Sequence, residues 1–202
     1  MDERSLAVTR RSLHGVAELV LAGPQYRNGN GIRLRVVPGG FSTLDGAVRV
    51  DGELLVTPTK SVGLTGTYAE LAAAAGLEPR ALDDVYSGGP GVSPDERLSV
   101  DPAAARLLED AFARGDAALR ALAPDQTPVL WPEHFDVGIT LDEVNYGVSP
   151  GDDQLPEPYA YVGPWTPRTG DFWNVPFGAA RPLAELPDIL DFFATGRSLA
   201  AT

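Results

Sequence analysis

His134 and Asp136 stand two residues apart in a segment that alternates apolar and polar side chains, Phe135-Asp136-Val137-Gly138-Ile139-Thr140-Leu141. On a β-strand, residues i and i+2 share a face with their Cα atoms roughly 6–7 Å apart. An imidazole and a carboxylate at that spacing can converge on one ligand atom, as an acid–base pair or as two metal ligands. Phe135, Val137, Ile139 and Leu141 are then expected on the core side. Gly138 is expected to leave room beside the pair. The bland alternative is a solvated strand face with an incidental ion pair.

The surroundings favour a site. Between Trp131 and Phe177 lie all three Trp, one of the two His and nine of the sixteen aromatics, with eight carboxylates and one basic residue, Arg168. Aromatics next to carboxylates on Gly/Pro-rich loops suit a pocket for a polar ligand. The expected wall comprises Trp131, Asn145, Tyr146, Glu157, Tyr159 and Trp165, with His134 and Asp136 as candidate catalytic residues. Large aromatics can also simply pack with a satisfied polar handle.

Other chemistries fit less well. His-x-Asp is the opening of a non-haem iron facial triad, which also needs a second His. None follows His134, and His14 reads as an i, i+4 surface partner of Glu18 on the first helix. An oxygen-only cation site drawn from Asp136, Asp142, Glu143, Asp152, Asp153 and Glu157 matches no recognised loop. No metal and no cofactor is therefore expected. Gly147-Val148-Ser149-Pro150-Gly151 is literally G-x-S-x-G. Pro150 cannot donate the backbone N–H that an oxyanion hole needs after the nucleophile, and no His follows. Asn28–Gly31 and Gly63–Gly66 match neither phosphate-binding fingerprint. Arg33, Arg35 and Arg49 share the polar face of a hairpin and read as a solvated patch.

The elements that must position these residues are legible in part. A helix is expected over 11–22, with Gly23-Pro24 as its stop. Ile32–Val37 alternates, and Asp51-Gly52 joins Val48–Val50 to Glu53–Val56 as a hairpin. Thr67 and Glu70 have capping-box spacing, so a helix opens there and stops at Gly76. Residues 78–100 read as loop. Asp101-Pro102 opens the longest helix, to about Leu122, with Gly115 in its buried stripe. Strands return at 129–131, 135–141 and 159–162, with a long irregular connection over 143–158. A last helix runs from Pro187 to Gly196. No internal repeat is evident. This order predicts an α+β fold: a mainly antiparallel sheet with helices packed on one face and long Gly/Pro-rich loops, in a single domain over 1–202.

Composition bounds the partners. The chain of 202 residues carries a net charge of −12, spread as +2 over residues 1–60, −6 over 61–126 and −8 over 127–202. Such an acidic protein repels phosphate backbones and anionic membranes, so neither nucleic acid nor membrane is an expected partner. With no Cys there is no disulfide and no thiolate chemistry. The polar start, Met1-Asp2-Glu3-Arg4, is not a signal peptide, and a soluble, cytoplasmic protein is expected.

Three blocks carry a resemblance. Pro58-Thr59-Lys60-Ser61-Val62 followed by Tyr68-Ala69-Glu70-Leu71 is similar to a P-x-x-S-V … Y-x-E-L pattern. Thr127 to Val137, with Trp131, Phe135 and Asp136, resembles S-P-V-x-x-W-x-x-F-D-L. Tyr159 to Trp165 is similar to a later block ending in Gly and Trp. The same blocks occur in this order in a large family of uncharacterised bacterial proteins, catalogued as a domain of unknown function. This chain departs by the insertion Pro132-Glu133-His134 and by a shorter C-terminal part. The resemblance carries no activity. It implies that Trp131, Phe135 and Asp136 belong to a shared framework.

The expected function is binding of a small polar organic ligand in an aromatic and acidic pocket formed by residues 131–173. The alternatives are a metal-independent hydrolase or isomerase using Asp136 and His134, or an interaction protein with an aromatic partner surface. Whether a ligand is turned over, and the oligomeric state, are left open by the sequence.

Overall fold

The computed structural model describes residues 2–201; Met1 and Thr202, the ends of the expected domain, lie outside the described residues. Helix α1 (Glu3–Gly15) starts where Asp2 accepts from the backbone N–H of Arg4 at 3.3 Å. It continues through a π-helical segment, Val16–Ala22, into α2 (Gly23–Arg27). Gly23-Pro24 is therefore not a stop, contrary to expectation. In the π register the N–H of Gly23 reaches the carbonyl of Glu18. The next bond would join residue 24 to Leu19, and proline has no N–H to give. The Leu19 carbonyl instead accepts from the backbone of Arg80 at 2.9 Å. Gly23 permits that docking, since a Cβ there would lie 1.9 Å from the Arg80 carbonyl oxygen.

The strands are β1 (Leu34–Val37), β2 (Gly40–Thr43), β3 (Arg49–Asp51), β4 (Leu54–Val56) and β5 (Ser61–Gly63). Helices α3 (Tyr68–Ala75) and α4 (Pro102–Leu122) follow, then β6 (Val129–Trp131), β7 (Asp136–Leu141), β8 (Val144–Ser149), β9 (Tyr159–Pro164), β10 (Ala179–Pro182) and α5 (Ile189–Ala200). Among the described residues they form one ten-stranded antiparallel sheet in the order β5-β4-β3-β2-β1-β6-β7-β8-β9-β10. The α+β class and the antiparallel sheet are as expected. The expected capping box forms at Thr67 and Glu70, and Gly76 closes α3 in the left-handed conformation. The last helix starts at Ile189, later than expected, after Asp188, which caps the N–H groups of Leu190 and Asp191, and it runs through the expected stop at Gly196 to Ala200.

The sheet consists of two five-stranded meanders joined edge to edge by the first strand of each, with Leu34 opposite Leu130. Each meander is preceded by a long helix and followed by a shorter one that packs back on its own half. The two leading helices, α1 and α4, pack against each other. The same order of elements thus occurs twice, a repetition that the sequence reading misses. The helices cover one face of the sheet, and their apolar sides form one core with Leu34, Phe41, Val50, Leu130, Val137, Tyr146 and Val162. Gly115 lets α4 lie close on the sheet, because a Cβ there would sit 2.8 Å from the side chain of Val148.

Candidate functional site

The site is built around the turn between β6 and β7. Trp131 pairs with Asp136, so residues 132–135 form a four-residue turn. Phe135 takes a left-handed backbone, with φ 54°. That conformation costs an ordinary L-residue about 1–2 kcal/mol. Burial of the whole ring offsets it: Phe135 is fully buried, stacked on His14 at 5.3 Å and edge-on to Phe41 and Phe112. His14 also fixes the turn, with Nε2 2.6 Å from the carbonyl oxygen of Pro132. The expected surface pair of His14 with Glu18 does not form. His14 is held mainly by the 132–135 turn. Burial, opposed by its bond to Pro132 and reinforced by the nearby His134, lowers its pKa to about 4.

The strand alternation begins at Asp136, with Val137 and Ile139 on the helix-covered side and Asp136, Gly138 and Thr140 on the other. Phe135 reaches the core from the turn and not from the strand. His134 is likewise a turn residue, its side chain 66% exposed, with Glu133 at 3.8 Å.

Tyr161 on β9 completes the floor. Tyr161, Gly147 and Gly138 are cross-strand neighbours on β9, β8 and β7. The phenol lies flat across both glycines, and its hydroxyl donates to Asp136 Oδ2. The space expected beside Gly138 is therefore filled by Tyr161. Asp136 is only 7% exposed. Burial raises its pKa, opposed by the Tyr161 hydrogen bond and by His134. Burial and the Asp136 carboxylate together push the Tyr161 hydroxyl well above its ordinary range. Asp136 Oδ1 is buried and, among the described residues, meets no hydrogen-bond donor.

Where α1 passes this turn and the loop after β8, a cleft of about 910 Å³ opens. It is bordered by Arg10 and His14 of α1, by the 88–90 segment, and by Glu133 to Asp136. Ser149 to Gln154, Tyr159, Tyr161, Asn145 and Phe177 complete it. The 150–158 loop is well organised. Asp152 accepts from the N–H groups of Gln154 and Leu155 and from Tyr159 Oη. Burial works to raise the Asp152 pKa, but these hydrogen bonds outweigh it and the net shift is downward. Arg10 Nη1 donates to Pro156 O at 3.0 Å, tying the loop to α1. Burial lowers the Arg10 pKa, countered by Asp152 and Asp153.

The structure thus brings His134, Asp136, Asn145 and Tyr159 to one cleft. It does not bring the other expected residues there. Tyr146 points to the helix side, fully buried and edge-on to Phe193. It is a core residue, because on β8 it alternates with the cleft-side Asn145 and Gly147. Trp131 lies under the guanidinium of Arg33, 5.6 Å from its ring centre. Trp165 is 63% exposed and only its indole N–H reaches Asn145, at 3.3 Å. Glu157 borders a second, smaller cavity of about 540 Å³ on the far side of the 150–158 loop. The first part of the expected irregular connection over 143–158 is strand β8, so the loop facing the cleft is shorter. Ser149 ends β8, and its Oγ accepts from the N–H of Gly151 at 3.2 Å.

Sequence reasoning missed Tyr161, His14 and a second buried acid. Glu18, in the π-helical segment, is 3% exposed and accepts from Tyr86 Oη at 2.7 Å. Burial raises its pKa, opposed by the Tyr86 hydrogen bond. This pair stands behind the 88–90 wall of the cleft, where a Cβ on Gly89 would lie 2.3 Å from Glu18 Oε2. An aromatic crossing glycines on neighbouring strands is a recurrent sheet device, but it becomes visible at Tyr161 only once the register of β8 is known.

Among the described residues, no group of three or more His, Cys, Asp or Glu side chains could hold a metal ion, and no helix is long and apolar enough to cross a membrane. No family model matches the chain, and neither a curated protein nor a solved structure is significantly similar to it.

Proposed function

We propose that this protein binds a small polar organic ligand in the cleft between α1 and the β6–β9 end of the second meander. One observation carries the reading: Asp136 is more than nine-tenths buried at the cleft, with one carboxylate oxygen lacking any donor. Native structures rarely leave a buried acceptor without a partner, and a ligand donor would supply one. The cleft has the size of small-molecule sites, about 300–1,000 Å³. Tyr159, Tyr161 and Phe177 supply apolar surface, with the Tyr161 and Phe177 rings edge-on at 6.5 Å. Binding is favoured over turnover by His134, whose exposed side chain meets Glu133 only at 3.8 Å, too far for a hydrogen bond that would fix it as an acid or base.

A thermal-shift screen of polar metabolites against the protein and its Asp136→Asn variant tests this. The expected result is a compound that stabilises the parent protein and loses its effect in the variant, while the variant's own melting temperature stays close. A marked fall in melting temperature, with no compound stabilising either protein, would make Asp136 a structural anchor and end the proposal.

A further inference from the structure

We propose that the ligand of this cleft is an organic cation, an ammonium or amidinium group on an apolar body, whose N–H groups are taken by Asp136. The inference rests on the binding role argued above and adds the chemical class.

It follows from which charges at the cleft are already committed. Both arginines are engaged. Arg11 forms a two-pronged pair with Glu96 and also donates to Gly91 O. Arg10 donates to Pro156 O and sits, half-buried, in the field of Asp152 and Asp153. An anion would therefore meet one guanidinium that is already ion-paired and one whose charge is opposed by two carboxylates. The carboxylates are less fully matched. Glu133 has only the imidazole of His134, at 3.8 Å. Asp153 is exposed at the rim, and Asp136 keeps an oxygen without a donor. Four carboxylates and two arginines border the cleft. A negative site with low-dielectric walls draws cations, and the whole chain at −12 adds to that field. Tyr159, Tyr161 and Phe177 wall the same space, and aromatic faces attract cations and repel anions.

The groups facing Asp136 agree. Tyr161 and Tyr159 approach it from β9, His134 and Glu133 from the turn, and His14 lies on α1 across the cleft. Among the side chains of the described residues, Tyr161 alone donates to its carboxylate, at Oδ2. An ammonium beside the Asp136 carboxylate would supply the compensating charge, and a rotation of the carboxylate would turn the donor-less Oδ1 toward its N–H groups. It would also draw the raised Asp136 pKa back down.

The test uses three probes that share one ring and chain: 2-phenylethylamine, 2-phenylethanol and phenylacetate. Each is titrated calorimetrically into the intact protein at low salt. The amine is expected to bind about tenfold or more tightly than the alcohol, as a charge-assisted hydrogen bond requires, with the carboxylate weakest. Asp136→Asn should abolish the preference for amine over alcohol, with the urea midpoint reporting whether the variant folds. Asp153→Asn, at an exposed position, should weaken the amine by less and leave the alcohol unchanged. Equal or better binding of the alcohol or carboxylate, lost in Asp136→Asn, would overturn the cation assignment while leaving the cleft as a binding site. No binding by any of the three at millimolar concentration would overturn both.

Discussion

Gly147 lies directly beneath the phenol of Tyr161: a Cβ at residue 147 would fall 2.4 Å from the Tyr161 hydroxyl oxygen and 2.6 Å from the backbone oxygen of Val137. The second contact is with main chain and cannot be relieved by a rotamer change. Gly147 therefore does more than permit a strand. It sets the height at which Tyr161 crosses the sheet to reach Asp136. Gly138 is more lenient, since a Cβ there would meet the Tyr146 carbonyl at 3.0 Å and the Tyr161 hydroxyl at 3.1 Å.

Gly147→Ala is expected to lower stability by about 1–3 kcal/mol, the usual range for overpacking, and to lift Tyr161 off Asp136. Gly138→Ala is expected to cost less. Urea unfolding of the two variants, with ultraviolet difference spectra reporting the tyrosine environment, measures both effects. Equal stabilities for the two variants would contradict the ranking.

This relationship also shows where sequence reading stops. The polar alternation of residues 135–141 pointed to Asp136, and local patterning was enough for that. The partner of Asp136 was hidden because cross-strand neighbours are set by register, and the register of β8 was not visible. Asp142 and Glu143 form the β7–β8 turn with φ of 53° and 60°, a pair of left-handed residues usually supplied by Asn-Gly or Asp-Gly. Without that turn signal, Val144–Ser149 read as loop, and Gly147 could not be placed beside Tyr161. The first helix was misread for a related reason. Gly23-Pro24 is a sound local stop signal. It is overridden by a backbone bond from Arg80, 61 residues after Leu19 in the chain. The antiparallel α+β architecture needed none of these long-range facts, only the spacing of strands and helices.

His14 should make stability depend on acid. Its folded pKa is depressed from 6.5 to about 4 by burial, so the neutral imidazole is favoured in the folded state. Its contribution is full above pH 6.5 and is lost as pH falls from 6.5 toward 4, on the order of 3 kcal/mol at most. Asp136 and Glu18 act in the opposite sense, because their folded pKa values are raised and their stabilising effect fades as pH rises above the ordinary carboxylate range. Urea midpoints measured between pH 4 and 7 should therefore fall toward acid in the parent protein. The slope should flatten in His14→Gln, which can keep a donor to Pro132 O but does not titrate. An identical slope in both proteins would remove His14 as the cause.

Tyr86→Phe should expose the cost of the buried Glu18. The variant leaves Glu18 Oε2 without its 2.7 Å donor, a loss of about 1–3 kcal/mol for a buried acceptor. The lost hydrogen bond is one that lowers the Glu18 pKa, so the folded pKa rises further in the variant. With a raised folded pKa, stability is lost as pH rises, and the penalty of Tyr86→Phe should be larger at pH 8 than at pH 5. Adding Glu18→Gln should reduce that pH dependence. A penalty that is the same at both pH values would mean that Glu18 stays ionised throughout.

Arg10 should hold the loop that separates the two cavities. Its guanidinium bonds Pro156 O, and a Cβ on Gly151 would lie 2.8 Å from the same Nη1, so the 150–158 loop is folded closely around this side chain. Gly151 can follow that path because its φ is 99°. The loop's internal bonds, from Asp152 to Gln154, Leu155 and Tyr159, keep its shape but do not attach it to α1. Arg10→Met retains most of the apolar stem and removes the attachment. The global unfolding midpoint should then change little, because the core is untouched. Limited proteolysis should cut the 150–158 segment faster than in the parent protein, since cleavage follows the population of the locally opened state. Arg10→Lys should restore protection only in part, because a flexible ammonium does not present a donor to Pro156 O with the fixed geometry of a planar guanidinium. Unchanged cleavage in Arg10→Met would show that the loop is held by its own turn and by Tyr159, with Arg10 a bystander.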